Sequence, residues 1–135
     1  MKKVFLSLLL IGLAIVAYRL IPTINGDDEG VVSFKVMDES STLIESELTF
    51  DETMTLFELL DEYYDIKCAN NNYGIDDNCQ ERPMGRVILV IEDIETDWTS
   101  SFFQIRINGE PSNYGVDSIE VNDGDDIVFM IQTPW

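Results

Sequence analysis

Residues 102–131 have the sequence FFQIRINGEPSNYGVDSIEVNDGDDIVFMI, in which two apolar runs flank a series of turn residues. Ser101 to Ile107 combines aromatic and β-branched residues, which favour a strand. Asn108-Gly109 follows directly and is the strongest short signal for a hairpin turn. A second turn at residues 122–125 precedes an apolar run from Ile127 to Gln132. The stretch therefore predicts two strong strands separated by turn-rich loops.

The residues before this stretch predict a hairpin that leads into a helix. Val31 to Met37 alternates apolar and polar side chains, residues 38–41 favour a turn, and Leu43 to Phe50 predicts the returning strand. We expect Asp51 or Thr53 to cap the helix, because either side-chain oxygen can accept from the free amides of a first turn.

Apolar residues at intervals of three and four then predict an amphipathic helix of about three turns. Its apolar face is expected to comprise Met54, Leu56, Phe57, Leu59, Leu60 and Tyr63, and its acidic face Glu58, Asp61 and Glu62. Arg86 to Ile91 predicts a further, well-buried strand. The order of elements predicts an α+β fold, a β-grasp-like mixed sheet with one covering helix.

Two segments resemble the transcobalamin-like C-terminal domain, known in bacteria as the domain of unknown function DUF4430. They are FDETMTLFELLDEY at residues 50–63 and the stretch at residues 102–131. The family pattern is an aromatic pair, a strand, an Asn-Gly turn, a Gly and an Asp, a Gly-Asp turn and a last strand. Here these are Phe102-Phe103, residues 104–107, Asn108-Gly109, Gly115 with Asp117, Gly124-Asp125 and residues 127–131. The resemblance covers roughly residues 31–132.

The resemblance also implies a ligand-facing surface. In vertebrate cobalamin carriers this small domain closes over a helical barrel domain and encloses the corrinoid between the two. Phe103 and Tyr114 lie near the strand and the loop that face the ligand in those carriers, so the resemblance implies the same role here. The alternative, which their residue type favours, is an aromatic side chain of the core or its rim. Cobalamin is implied by the resemblance alone, and the residues themselves predict no cofactor.

A basic and apolar segment precedes the domain. Lys2 and Lys3 stand before an uncharged run from Val4 to Tyr18, an arrangement that keeps the N-terminus in the cytoplasm. A cleaved signal peptide has this layout. An uncleaved anchor needs about 20 residues, which residues 4–24 supply if Arg19 extends to the membrane surface.

We favour the uncleaved anchor, because Ala14 and Ala17 are spaced poorly for cleavage. The predicted organisation is an anchor or signal segment at residues 1–25, a linker at 26–30 and the DUF4430 domain at 31–135. Either interpretation exports the domain. We predict a single-pass membrane protein with an extracellular C-terminal domain, the alternative being secretion after cleavage.

Cys68 and Cys79 are the two cysteines of the chain. Their spacing is not C-x-x-C, and the sequence has no histidine to complete a zinc shell. In an exported protein we therefore predict a structural disulfide. The enclosed residues 69–78 are rich in Asn, Asp and Gly, which suit tight turns but can also supply oxygen ligands to calcium. We favour the turns and predict no metal site.

The charge is distributed unevenly along the chain. All 26 acidic residues lie between Asp27 and Asp126, whereas only five of the eight basic residues lie in that range. A negative field repels phosphate backbones, so we predict no nucleic-acid partner. The absence of histidine removes the commonest general base, and no carboxylate pair stands out in an apolar setting. We therefore predict that the domain is not an enzyme.

These observations favour an exported, membrane-anchored binding module for a small molecule, a polymer or a surface protein. The aromatic residues expected to be exposed are Tyr73, Trp98, Tyr114 and Trp135. The alternative is a cell-surface structural or adhesion element, and an enzyme that uses surface carboxylates is favoured least.

Overall fold

A computed structural model describes residues 27–72 and 74–133 of the chain. Most of the regular structure is sheet, and these residues contain one helix. The elements in chain order are β1 (Gly30–Met37), β2 (Thr42–Phe50), α1 (Leu56–Tyr63), β3 (Ile66–Ala69), β4 (Ile75–Asp76), β5 (Ile88–Ile91), β6 (Ile94–Glu95), β7 (Phe102–Ile107), β8 (Glu110–Pro111) and β9 (Asp126–Gln132). The predicted α+β class is confirmed.

The predicted anchor or signal helix at residues 1–25 lies outside the described residues. Within residues 27–72 and 74–133, no helix combines the length and the hydropathy needed to cross a membrane.

The larger sheet has five strands in the order β2-β1-β9-β7-β8. β1 pairs with β2 antiparallel and with β9 parallel, while β9 and β7 are antiparallel. The sheet is therefore mixed, as predicted, and the last strand of the domain lies at its centre. Because side chains alternate between the faces of a strand, Val32, Phe34 and Val36 of β1 are all buried on one side.

A second sheet, of four strands in the order β4-β3-β5-β6, was not predicted. The expectation of a single sheet is wrong. β5 pairs with β3 rather than with the five-stranded sheet, and all four of its residues are buried. β4 lies within the loop that the sequence predicts as polar and disulfide-closed, and β3 leads into that loop; strands of two and four residues carry no clear alternation.

The helix begins two residues later than expected, at Leu56 instead of Met54, and is shorter. Thr55 is its N-cap: the Thr55 hydroxyl accepts from the Glu58 amide at 3.2 Å, and the Glu58 carboxylate accepts from the Thr55 amide at 3.3 Å. The prediction of Asp51 or Thr53 as the cap is wrong, because this reciprocal arrangement requires an acid three residues after the cap. Eight residues make slightly more than two turns, not three.

The apolar face of α1 packs into the core largely as predicted. Leu56, Phe57, Leu59 and Leu60 are buried. Tyr63 is 41% exposed, and its hydroxyl donates to the Thr49 carbonyl of β2 at 2.6 Å. It therefore ties the helix end to the sheet instead of filling the core.

The main core lies between the five-stranded sheet, α1 and the inner residues of the second sheet. Its fully buried side chains include Phe34, Phe129, Leu56, Leu59, Leu60, Ile91 and Ile127. The predicted Asn-Gly turn is confirmed, with φ of 54° at Asn108 and 87° at Gly109. Positive φ at both central residues is the geometry of a type I′ hairpin, which joins β7 to β8.

Candidate functional site

A concavity of about 150 Å³ opens where the two sheets meet. β5 supplies one side, β7 and β9 of the larger sheet supply another, and the β6–β7 and β8–β9 loops complete it. Its lining residues are Arg86, Val87, Ile88, Trp98, Phe103, Ile105, Gly115, Val116 and Phe129. We call this space the concavity. Its lining is mainly apolar and includes three aromatic side chains.

Phe103 and Phe129 form the aromatic base of the concavity. The two residues lie on the paired strands β7 and β9, and their ring centroids are 5.8 Å apart with an interplanar angle of 53°. This tilted arrangement is within the range that aromatic pairs favour. Phe129 is buried and Phe103 is half-buried, so the open side of the Phe103 ring faces the concavity.

Trp98 stands at the mouth of the concavity with 41% of its surface exposed. Its φ of 68° lies in the left-handed region, which a bulky residue rarely adopts. The Trp98 amide donates to the Ser101 carbonyl at 2.8 Å, and its ring meets Phe102 edge-on at 6.0 Å. The tight β6–β7 turn therefore fixes where the indole stands.

The carboxylate of Asp97 organises that turn. Its Oδ1 atom accepts from the amides of Thr99, Ser100 and Ser101 at 3.1, 2.7 and 3.1 Å. Hydrogen bonds from the Ser100 side chain and from these amides lower the pKa of Asp97 to about 2. The carboxylate is therefore ionised at neutral pH and holds Trp98 at the mouth of the concavity.

Arg86 is the only ionisable side chain among the described lining residues. Asp117 accepts from its guanidinium at 2.6 Å, and the guanidinium lies 3.7 Å from the ring centroid of Phe57 in α1. The same guanidinium donates to the Cys79 carbonyl at 3.4 Å. Arg86 thus ties the disulfide loop, the helix and the β8–β9 loop together at one side of the concavity.

The Arg86–Asp117 pair keeps its charges at neutral pH. Its hydrogen bond with Asp117 raises the pKa of Arg86. Burial opposes ionisation of Asp117, but hydrogen bonds from the Arg86 side chain and amide outweigh it and lower the pKa of that carboxyl. A paired, permanently charged arginine is not a general acid or base. The concavity therefore provides apolar contact beside a neutralised cation.

The structure places Phe103 in the concavity, but Tyr114 does not line it. Tyr114 immediately precedes the lining residue Gly115 and is 69% exposed, so it stands on the loop beside the concavity. Trp98 is exposed, as expected. Tyr73 and Trp135 lie outside the described residues. Arg86 was not singled out as a site residue, although its partner Asp117 belongs to the family pattern.

Cys68 and Cys79 form the predicted disulfide, and both are buried. The polar residues of the loop serve its turns: Asn70 Oδ1 accepts from the amides of Asn72 and Gly74, and Asp76 accepts from those of Asn78 and Gln80. In the described part of the chain, no group of three or more His, Cys, Asp or Glu residues is placed to hold a metal ion.

The family model of DUF4430, a domain of unknown function, matches residues 54–133. The chain belongs to the DUF4430 family. The matched region starts just before α1 and contains every lining residue of the concavity, whereas the β1–β2 hairpin precedes it. The family identified from the two sequence segments is confirmed. No curated protein matches this chain.

Several solved structures share the fold of this DUF4430 protein, among them the following two. One is a protein from Ruminococcus gnavus described as a candidate metal-binding protein, with a TM-score of 0.55 and 19% identity over 79% of this chain and all of that chain. The other is haptocorrin in complex with cobinamide, with a TM-score of 0.57 and 14% identity. That match covers 82% of this chain but only 27% of the haptocorrin chain. At these identities the likeness establishes the fold alone.

Proposed function

We propose that this DUF4430 protein is an exported, membrane-anchored binding module that receives an apolar group of its ligand in the concavity. The observation that carries the proposal is the junction of the two sheets, where Trp98, Phe103 and Phe129 bring three aromatic rings to one partly open space. The matches to haptocorrin with cobinamide and to a candidate metal-binding protein agree with a binding role.

The volume of the concavity limits what enters it. Pockets that enclose a whole drug-sized ligand have about 300–1,000 Å³, whereas an apolar cavity of about 150 Å³ accommodates benzene. The concavity is therefore suited to one aromatic side-chain group or one branched aliphatic group. Enclosure of a complete corrinoid would require a second surface, so the domain by itself does not favour cobalamin as its ligand.

The chemistry of the lining supports binding rather than catalysis. Arg86 is held by Asp117, and the other described lining residues carry no side chain that titrates near neutral pH. General acid–base catalysis needs a group with a pKa near the working pH. We therefore propose a non-enzymatic role.

The proposed location follows from the disulfide and the N-terminal segment. Structural disulfides form and persist outside the reducing cytosol, which agrees with the buried Cys68–Cys79 bond. The two lysines and the apolar residues 4–24 would hold the N-terminus in the cytoplasm and leave the acidic domain outside.

The proposal is tested by saturation-transfer NMR with indole as the probe. The full-length chain, reconstituted in phosphatidylcholine nanodiscs, is compared with Phe103→Ala, Trp98→Ala and Leu43→Ala. Leu43 is 43% exposed on β2, at the opposite edge of the larger sheet from the concavity, and is the matched control. We expect indole to bind the wild type and Leu43→Ala equally, with about tenfold weaker binding to the other two.

Equal indole signals in all four proteins, or none in the wild type, would overturn the proposal. Circular dichroism and the thermal midpoint of each variant identify any that fails to fold. Competition by cobinamide would show whether a corrinoid reaches the same concavity.

A further inference from the structure

We infer that the natural occupant of the concavity is an aromatic side chain presented by a basic segment of a protein partner. The inference rests on the proposed function, since it specifies the ligand of the same concavity. Three features carry it: the aromatic lining, the small volume beside exposed apolar side chains, and the charge of the domain.

The lining favours an aromatic ring over an aliphatic group. Trp98 and Phe103 lie on different segments and both line the open part of the space, with Phe129 behind Phe103. Aromatic rings prefer tilted and edge-on contacts with centroids about 4.5–7 Å apart, and each such contact adds to simple area burial. A ring that enters the concavity meets aromatic partners from both segments.

The volume favours a side chain of a larger partner over a free small molecule. A small ligand binds tightly when most of its surface is buried. A volume of about 150 Å³ can bury most of a single aromatic group but not most of a larger molecule. A protein partner can instead insert one aromatic residue as an anchor and place its neighbouring residues on the surrounding surface.

Suitable surface is present beside the concavity. Met84 is 97% exposed and precedes the lining residue Arg86 by two positions, while Tyr114 is 69% exposed and adjoins Gly115. Both belong to the few large apolar side chains that the described residues expose. Methionine adapts to varied partners, and tyrosine combines apolar contact with a hydroxyl. Both lie within two positions of a lining residue and are available to a partner that covers the concavity.

The charge of the domain favours a basic segment. The described residues include all 26 acidic residues of the chain but only five basic ones. Four of these five, Lys35, Lys67, Arg82 and Arg86, already form ion pairs with acids of the domain. The large acidic excess attracts lysine and arginine and repels acidic segments.

Acidic groups also lie near the concavity itself. Asp97 adjoins Trp98 in the β6–β7 turn, and Asp61 and Glu81 are close enough to Arg86 to contribute to its raised pKa. An anionic group in the concavity would meet these carboxylates with Arg86 already neutralised by Asp117. Lysine or arginine next to the inserted ring would be stabilised by the same carboxylates.

The test is fluorescence anisotropy with labelled seven-residue peptides and the full-length chain in phosphatidylcholine nanodiscs. The first peptide has a central tryptophan with two lysines on each side; the second replaces the tryptophan with alanine; the third replaces the lysines with glutamates. Empty nanodiscs provide the blank. Trp98→Ala and Leu43→Ala are the variant and its matched control.

We expect the tryptophan–lysine peptide to bind, and the alanine and glutamate peptides to bind at least about tenfold more weakly. The Trp98→Ala protein should bind the tryptophan–lysine peptide about tenfold more weakly than the wild type, whereas the Leu43→Ala protein should bind it with unchanged affinity. Affinity for the lysine peptide should also fall between 0.01 M and 0.15 M salt, because the screening length drops from about 30 to about 8 Å.

Each of the other outcomes overturns the inference in a defined way. Equal binding of the alanine peptide excludes an aromatic anchor, and equal binding of the glutamate peptide excludes charge recognition. If indole binds in the NMR experiment but no peptide binds, the inference fails and the proposed function stands. If neither binds, both fail.

Discussion

The carboxylate of Asp117 holds Arg86 at two points, accepting from its backbone amide at 2.6 Å and from its guanidinium at 2.6 and 3.0 Å. The residues are 31 positions apart and belong to the β4–β5 and β8–β9 loops, which meet at one side of the concavity. The guanidinium also lies over the Phe57 ring and donates to the Cys79 carbonyl. The pair therefore joins the β8–β9 loop to α1 and to the disulfide loop.

Replacing Asp117 with asparagine should therefore destabilise the domain. The substitution leaves the charge of Arg86 without its partner, and the side chains of the pair are only 19% and 23% exposed. We expect a loss of about 1–3 kcal/mol in the free energy of unfolding, measured in urea. Glu39→Gln, in the exposed β1–β2 turn, is the control and should change it by less than about 0.5 kcal/mol. Equal stabilities would show that the pair contributes nothing.

Removal of the Cys68–Cys79 bond should cost about 3 kcal/mol, because the bond closes a short loop in the unfolded chain. Two preparations distinguish the effect of the covalent bond from the effect of the packed sulfur atoms. The reduced wild type keeps both sulfur atoms, whereas the Cys68→Ala, Cys79→Ala double variant loses them from the core. We expect the double variant to be the less stable of the two in urea. A reduced protein as stable as the oxidised one would contradict the expectation.

Thr55→Ala should destabilise α1 by about 1 kcal/mol, since the change removes the hydroxyl that accepts from the Glu58 amide. Thr53→Ala is the matched control. Its hydroxyl reaches Asp28 only at 3.4 Å and does not cap the helix. Thermal unfolding followed by circular dichroism compares the two variants. A larger loss of thermal stability for Thr53→Ala than for Thr55→Ala would indicate that Thr53 caps the helix.

Asp97 should stabilise the β6–β7 turn in a pH-dependent way. Its pKa is about 2 in the folded protein, below its ordinary 3.8. The folded state therefore binds fewer protons, and the contribution is complete above about pH 4 and disappears as the pH falls through about 2. We expect the difference in Tm between wild type and Asp97→Asn to shrink over that interval.

The Ser100→Ala variant tests the cause of the lowered pKa of Asp97. The Ser100 side chain makes the largest contribution to the lowered pKa of Asp97 and donates to its carboxylate at 2.7 Å. We expect this variant to show part of the same pH-dependent loss. A Tm difference between wild type and Asp97→Asn that is constant from pH 5 to pH 2 would disagree with the lowered pKa.

The uncleaved anchor predicts that the chain keeps its full mass of 15.4 kDa in the membrane fraction after an alkaline wash. Mass spectrometry of the extracted protein measures this directly. A mass reduced by the N-terminal segment, with the domain released to the medium, would favour signal cleavage instead. If the anchor is uncleaved, protease added to intact cells should digest the domain, because the domain would then be anchored on the outer side of the membrane.

The sequence predicted the longer elements because their periodic patterns are unambiguous. β1 and β2 alternate in the expected manner, α1 carries a continuous apolar face, and the Asn108-Gly109 turn has the expected geometry. The second sheet was missed because its strands are two to four residues long, and their alternation is too short to be distinguished from a loop.

The candidate site was predictable only in part. Phe103 followed from the family resemblance, whereas Trp98 was predicted only as an exposed aromatic residue. The Arg86–Asp117 contact joins residues 31 positions apart, and its formation depends on how the loops pack. The left-handed backbone of Trp98 likewise depends on the Asp97 turn, which no short motif in the sequence specifies.

The parallel pairing of β1 with β9 has a consequence for how the chain reaches its native state. Ser33 lies opposite Asp126, so the centre of the larger sheet joins residues 93 positions apart. Such distant contacts must offset the entropy of closing nearly the whole domain into a loop, and they slow folding. The β1–β2 hairpin and α1 can form early, but the concavity cannot, because Phe103 and Phe129 meet only after β9 has inserted. The concavity therefore forms only once β9 has joined the larger sheet, and loss of β9 should abolish the fold and the concavity together.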